Sequence, residues 1–371
     1  MRKFGLTLAA ALLSAAAMGA SSAYADMQVA TAGPMTGDYA AFGMQMQRGA
    51  EAAVADINAA GGVLGEPLSL NIGDDACDPK QAPAVANDFV SKGVVFVAGH
   101  FCSGSSIPAS DVYIEEGILQ MTPASTNPAF TEGPAEKGVK TIFRTCGRDD
   151  QQGDFAGAWL AETYAGKNVA ILHDKSTYGK GVADLTKAVM NAAGLQEVMY
   201  EAYTAGEQDY TALITKMKAA NIDAIYLGGY HTEGALIIRQ AREQGLNAQL
   251  IGPDSLNTLE FASIAGDAAN GVMFSNAAEA RNLPSAKEAV EKIRATGFEP
   301  EGYTLSTYAA LQAWAGAANE AGTTDSEKVA EVLRSKEWDT VIGRIGFDEK
   351  GDLTAASYVW YQFKDGNYSE M

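Results

Sequence analysis

From residue 27 onward, short β-branched runs alternate with longer stretches in which apolar residues return every third or fourth position. MQVATAG (27–33) reads as a strand. In MQRGAEAAVADINAAGG (46–62), Ala50, Ala53, Val54 and Ile57 share one helical face, and the pair Gly61 and Gly62 closes the helix. The alternation continues with LSLNIGDD (68–75) as a strand, APAVANDFVSKG (82–93) as a helix, VVFVAG (94–99) as a strand, SSIPASDVYIEEG (105–117) as a helix and ILQMT (118–122) as a strand. Such a series predicts a parallel sheet with helices on both faces.

The pattern restarts with NVAILHD (168–174) as a strand, GVADLTKAVMNAAG (181–194) as a helix, DAIYLGGY (223–230) as a strand, GALIIRQAREQG (234–245) as a helix and AQLIGPDS (248–255) as a strand. Between the two series, FRTCGRDDQQG (143–153) is polar and aperiodic, which suits a passage from one lobe to another. Helical patterns over 285–297 and 304–322 then lead into short strands around IGRIGFDEKGD and SYVWYQF. No internal repeat or low-complexity segment stands out. The expected architecture is α/β, with two doubly wound lobes.

The first 25 residues read differently. Arg2 and Lys3 precede the apolar stretch LTLAAALLSAAAMGA, which ends at Ala23-Tyr24-Ala25, so residues 1–25 are expected to be a cleaved export signal and Asp26 the first mature residue. Removing the two positive charges of that leader takes the net charge from −19 to −21, which disfavours a nucleic-acid partner. About 346 remaining residues exceed one ordinary hydrophobic core, in keeping with two lobes. Export also permits disulfides. Cys77 and Cys102 each follow a strand end, and neighbouring parallel strands would bring them together, so these two are the first choice for a bridge and Cys146 the thiol left over.

In open parallel sheets ligands bind beyond the carboxyl ends of the strands, which directs attention to seven loops. In the first lobe they are GPMTGDYAAFG, DDACDPK, GHFCSGSS and TPASTNP; in the second, HDKSTYG, GGYHTEG and GPDSLN. Ser103, Ser105 and Ser106 in one loop, and Thr122, Ser125 and Thr126 in the next, stand before helix starts, where hydroxyls and free N–H groups converge on negative charge. Taken singly each reads as an ordinary helix cap. Together they make a carboxylate cradle. The second-lobe loops supply Tyr178, Tyr230 and His231 with the charges Asp254 and Glu233. A site with an anion cradle on one side and a carboxylate on the other fits a zwitterion, and a free amino acid is the commonest one.

Other chemistry has little support. There is no nucleophile elbow, Walker loop or dinucleotide fingerprint. His100, His173 and His231 are scattered, so no metal is expected, and no cofactor. DEKGD (348–352) reads as a turn and not a calcium loop. Ser103 with His100 is the one local nucleophile–base candidate, and no third group is apparent to orient the histidine, so an enzyme is not expected.

The segments AVADINAAGG, DDACDPKQA, GHFCSGSSIPASD, TPAST, HDKSTYG, GGYHTEG, IIRQAREQGL and DEKGDL, in this order along the chain, resemble the branched-chain amino-acid-binding proteins of bacterial ABC importers. The resemblance implies a type I periplasmic binding protein of two Rossmann-like lobes joined by three hinge crossings, with residues 26–147 and 278–355 in the N-terminal lobe and 148–277 and 356–371 in the other. It implies that Ser103 and Thr126 take the α-carboxylate, that the carbonyl of Ala124 accepts from the ammonium, and that Cys77 pairs with Cys102. For the side-chain pocket it points to Phe42, Phe101, Tyr178, Tyr230 and Tyr303, and Asp149 joins the ligand-binding set. At Asp254 the family carries a glutamate on the ammonium; the aspartate is one methylene shorter, which leaves open Leu, Ile, Val, Ala, Thr and γ-amino ligands. The implied function is capture of an aliphatic L-amino acid in the periplasm by a monomer that delivers it to membrane permease subunits. The alternative is a sensor domain presenting an amino acid or γ-amino ligand to a receptor.

Overall fold

A computed structural model describes residues 26–371; the export-signal expectation lies outside the described residues. The first sheet is built from β1 (Met27–Gly33), β2 (Leu68–Asp74), β3 (Phe96–Gly99), β4 (Leu119–Thr122) and β5 (Ile142–Arg144), all parallel, in the order β2-β1-β3-β4-β5. Alternate side chains of each strand enter opposite layers. Val29, Phe96 and Ala98 pack beneath α1 (Ala40–Ala59) and α11 (Thr304–Ala321), while Ala30, Ala32 and Val97 pack beneath α2 (Ala82–Ser91) and α3 (Ser103–Glu115). This is why the strands read as continuous apolar runs. Trp314 of α11, fully buried, stacks on Phe96 with ring centroids 4.7 Å apart. Around this core lie α4 (Ala129–Glu136), α10 (Lys287–Ala295), α12 (Ser326–Ser335) and the hairpin β11 (Trp338–Thr340) and β12 (Gly343–Ile345).

The second sheet repeats the topology. β6 (Val169–His173), β7 (Met199–Ala202), β8 (Ala224–Gly228), β9 (Gln249–Gly252) and β10 (Met273–Asn276) are parallel, and β13 (Val359–Lys364) and β14 (Asn367–Glu370) add an antiparallel edge, giving β14-β13-β10-β9-β8-β6-β7. Its faces carry α5 (Asp149–Thr163) and α6 (Thr177–Ala192) on one side, and α7 (Thr211–Ala219), α8 (His231–Glu243) and α9 (Leu259–Ala265) on the other. The chain passes between the sheets three times, after β5, after β10 and before β13.

Three features differ from the pattern reading. The pair β7 and α7 was not legible, because MYEA carries no apolar run. The aperiodic stretch 143–153 already contains the start of α5, whose Gly153 and Gly157 replace an apolar stripe: a Cβ at Gly157 would stand 2.6 Å from the Thr186 carbonyl oxygen, so only glycine lets α5 lie this close to α6. Cys77 and Cys102 do form a disulfide, with Cα atoms 5.5 Å apart, but their strands are not neighbours. β1 lies between β2 and β3, and the loop carrying Cys77 crosses the end of β1, where Asp75 N donates to Gly33 O at 3.0 Å.

Candidate functional site

In each sheet the strand order reverses once, between β1 and β3 and between β6 and β8, and a crevice opens at each reversal. The two crevices face each other with the lobes closed. Across the seam Tyr39 donates to Glu233 at 3.2 Å, Thr232 to the Asp38 carbonyl at 2.9 Å, Asn127 to the Thr177 carbonyl at 2.9 Å and Tyr303 to Asp254 at 2.7 Å. Between them lies a small cavity lined by Phe101, Ser103, Ala124, Tyr178, Tyr230, Asp254, Ser255 and Tyr303.

The first-lobe wall is the N-terminus of α3. Cys102 is extended and caps the helix, Ser105 N and Ser106 N both donate to its carbonyl, and Ser103 begins the first turn, where N–H groups have no intrahelical acceptor. The disulfide therefore fixes the residue before this turn. Ser103 Oγ accepts from Asn127 N at 3.3 Å, and the buried hydroxyls of Ser105 and Thr126 have no partner. Arg144 holds the neighbouring loop. Fully buried, it donates to the carbonyls of Ser125 at 2.8 Å and Asn127 at 3.1 Å, on either side of Thr126, and pairs with Asp352 at 2.7 Å. Asp352 also pairs with Arg148 at 2.6 Å, which ties two of the hinge crossings together. Burial works to raise the Asp352 carboxyl, and the two arginines outweigh it, holding it below the usual carboxylate range.

The second-lobe wall centres on Asp254, which follows β9 in a single 3₁₀ turn. Its two oxygens accept from Tyr178 and Tyr303, each at 2.7 Å, and burial raises its carboxyl against these bonds. Burial also pushes both tyrosine hydroxyls well up, so they stay donors. No side-chain cation bonds Asp254 among the described residues. Asp149, at the start of α5, is fully buried and neither of its oxygens has a hydrogen-bond partner. The remaining wall is aromatic: Phe101 meets Tyr303 edge-on at 4.9 Å, and Tyr178 meets Tyr230 at 5.2 Å. Phe42 stacks behind Phe101 at 4.6 Å and does not line the cavity; it sets the position of the ring that does.

Several candidates lie elsewhere. Glu233 accepts from Tyr39 and from Gly206 N at 3.0 Å and faces the seam, outside the cavity lining. His231 bonds Glu260 at 2.9 Å. His100 does have an orienting group, contrary to the sequence reading: Asp75 holds its Nδ1 at 2.6 Å. Tyr113 holds its Nε2 at 2.8 Å, so both ring nitrogens are engaged away from Ser103. Cys146 donates to the Ser125 carbonyl at 3.6 Å, and burial pushes its thiol up. Arg144, Asp352 and Ser255 were not singled out from sequence. Ser255, the fourth residue of GPDS, donates to the Gly229 carbonyl at 2.5 Å and so joins the loops after β8 and β9.

Two closed doubly wound lobes enclosing a small polar-ended, aromatic-walled cavity define a solute-binding protein. A family model described as periplasmic binding protein matches residues 26–367, and the chain belongs to that family. It is 48% identical over 366 residues, 97% of either chain, to an amino acid binding protein of Pseudomonas aeruginosa. It is 47% identical over 352 residues, 94% of either chain, to Leu/Ile/Val-binding protein homolog 1 of Brucella suis. Among solved structures it matches the branched-chain amino acid transporter substrate-binding protein LivJ of Streptococcus pneumoniae in complex with isoleucine, at 26% identity and a TM-score of 0.85, covering 94% of this chain and 99% of that one.

Proposed function

We propose that the protein captures an aliphatic L-amino acid between its lobes and delivers it to the membrane permease of an ABC importer. The observation that carries this reading is the polarity of the cavity: a helix N-terminus with Ser103 at one end, the buried carboxylate of Asp254 at the other, and aromatic rings between them. The α-carboxylate sits on Ser103 and Thr126, where N–H groups and hydroxyls converge. The ammonium is shared by Asp254, Asp149 and the Ala124 carbonyl. An aliphatic side chain against Phe101, Tyr178, Tyr230 and Tyr303 gains roughly 1.5–3 kcal/mol on burial, and no charged group on that wall favours a polar one. The names of the relatives and the isoleucine in LivJ support the same class of ligand. The chain acts after export, cut after Ala25, as a monomer without cofactor, and closes about its three crossings. The test is calorimetry on protein unfolded and refolded to strip carried-over ligand, titrated with each of the common amino acids. Binding of at least one aliphatic member supports the reading. No heat with any of them refutes it.

A further inference from the structure

A second cavity, of about 250 Å³, lies where the chain crosses between the lobes. Gly147, Asn276 and Tyr358 line it, one from each of the three crossings. Its walls come from both lobes. Leu283, Leu305 and Ile345 pack with the core of the first sheet, while Tyr361 packs with the core of the second and Asn257 follows β9. Asp254 and Tyr303 line both cavities, so their 2.7 Å hydrogen bond partitions one from the other. The second cavity opens to solvent with the lobes closed, because Ala278, Ala355 and Ser357 on its lining are exposed.

Its walls are fastened in place. Tyr358 donates to the Arg148 carbonyl at 3.1 Å, Tyr361 to the Ala277 carbonyl at 2.8 Å and Thr145 to the Ser306 carbonyl at 3.0 Å. Gly147 makes room for the first of these, since a Cβ there would stand 2.4 Å from the Tyr358 hydroxyl oxygen. Asn257 is different. It is 7% exposed, its backbone N donates to the Asp254 carbonyl at 3.0 Å, and its side-chain amide bonds no group among the described residues. An amide buried without a partner is costly, and a ligand offering both a donor and an acceptor removes that cost.

We propose that the hinge cavity is a second ligand site, taking a small neutral molecule with an aliphatic body and a carboxamide head, and that its occupancy favours closure. A cavity of about 150 Å³ holds benzene, so about 250 Å³ takes a molecule of roughly eight to ten non-hydrogen atoms. The head pairs with the Asn257 amide, and the body covers Leu283, Leu305 and Leu353. Asp254, which no side-chain cation bonds, disfavours an anion in the same space. Rotation about the crossings carries one set of walls away from the other, so the occupant binds the closed arrangement better. By linkage, the ligand in the cleft and the ligand in the hinge raise each other's affinity. The site stands without the amino-acid reading above, and the coupling rests on it.

The experiment is calorimetry with hexanamide as the probe and hexanoate as its charged counterpart. Hexanamide gives heat on the wild type, and in its presence the best-binding aliphatic amino acid binds about fivefold more tightly or better. Hexanoate does neither. Asn257→Leu, close to the amide in volume and outside the cleft lining, keeps the amino-acid affinity measured without hexanamide and loses the enhancement. Ala278→Trp, at an exposed position on the cavity lining, serves the same end if Asn257→Leu does not fold. No heat with hexanamide overturns the proposal, as does an equal effect of hexanoate or an enhancement that survives in the variant. Amino-acid affinity that hexanamide leaves unchanged, or lowers by competing in the cleft, overturns it as well. If no amino acid binds, the functional reading fails, whereas hexanamide heat that disappears in Asn257→Leu still upholds the hinge site, so the two failures are distinct.

Discussion

Asp254→Asn removes one negative charge from the closed cavity at almost constant volume. Asp254 is 3% exposed and accepts from Tyr178 and Tyr303 at 2.7 Å each. Without ligand the charge has no cation beside it, and burial raises its carboxyl, so neutralising it relieves strain in the unliganded fold at neutral pH. With ligand the ammonium loses a buried partner, which costs about 2–4 kcal/mol, because truncating one side of an enclosed charge pair leaves the other uncompensated. At 1.4 kcal/mol per tenfold this is about a 30- to 700-fold loss of affinity. Asparagine also presents a donor to one tyrosine hydroxyl, which must then turn its own proton elsewhere, and this pushes toward the larger figure. The assay pairs calorimetric titration with thermal unfolding in the absence of ligand. The expected signature is opposed: weaker binding together with an unchanged or higher Tm. A folded variant that loses less than tenfold in affinity would refute the reasoning, placing the ammonium on Asp149 or the Ala124 carbonyl instead.

Three further outcomes follow from other parts of the site. Ser103→Ala leaves the N–H groups of α3 in place and removes one hydroxyl, so affinity falls by about 1 kcal/mol with little change in Tm, read by the same titration; a loss that spares affinity but lowers Tm would make Ser103 a structural cap. Arg144→Lys keeps the charge and loses the fork that holds the Ser125 and Asn127 carbonyls, costing about 2 kcal/mol of stability in thermal unfolding and weakening binding through the Thr126 loop. Because Asp352 is held below the usual range, its contribution is present above its ordinary value of 3.8 and lost as pH falls through its lower folded value, so wild type and variant should converge in strong acid. Reducing the Cys77–Cys102 bridge, whose ends stand 25 positions apart, removes roughly 3–4 kcal/mol by loop entropy and loosens the turn that begins α3, measured as a drop in Tm and in affinity on adding reductant.

Most strands of both lobes were legible because a doubly wound sheet buries both faces, so Val29 and Ala30 alike must be apolar and the run stands out. What escaped did so for the same physical reason. β7 is an edge strand with partly exposed residues and no such run, and α5 meets α6 through Gly153 and Gly157, which carry no apolar signal. The shared strand order of the two sheets is a property of backbone path, and no periodic residue pattern records it. In the site, the hydroxyl loops and Asp254 were visible because their chemistry is local. Arg144 and Asp352 were not, since they lie 208 positions apart and acquire meaning only when the third crossing brings the DEKGD turn against β5. His100 shows the converse, with Asp75 and Tyr113 engaging both ring nitrogens in a way that its neighbours in sequence could not reveal.

The central claim is the orientation of the ligand between two oppositely charged walls. A crystal structure of refolded protein with its best-binding aliphatic amino acid tests it most directly. The account predicts the α-carboxylate on Ser103, Thr126 and the first turn of α3, and the ammonium within hydrogen-bond distance of Asp254. A ligand lying in the opposite sense, or seated away from this cavity, would contradict it.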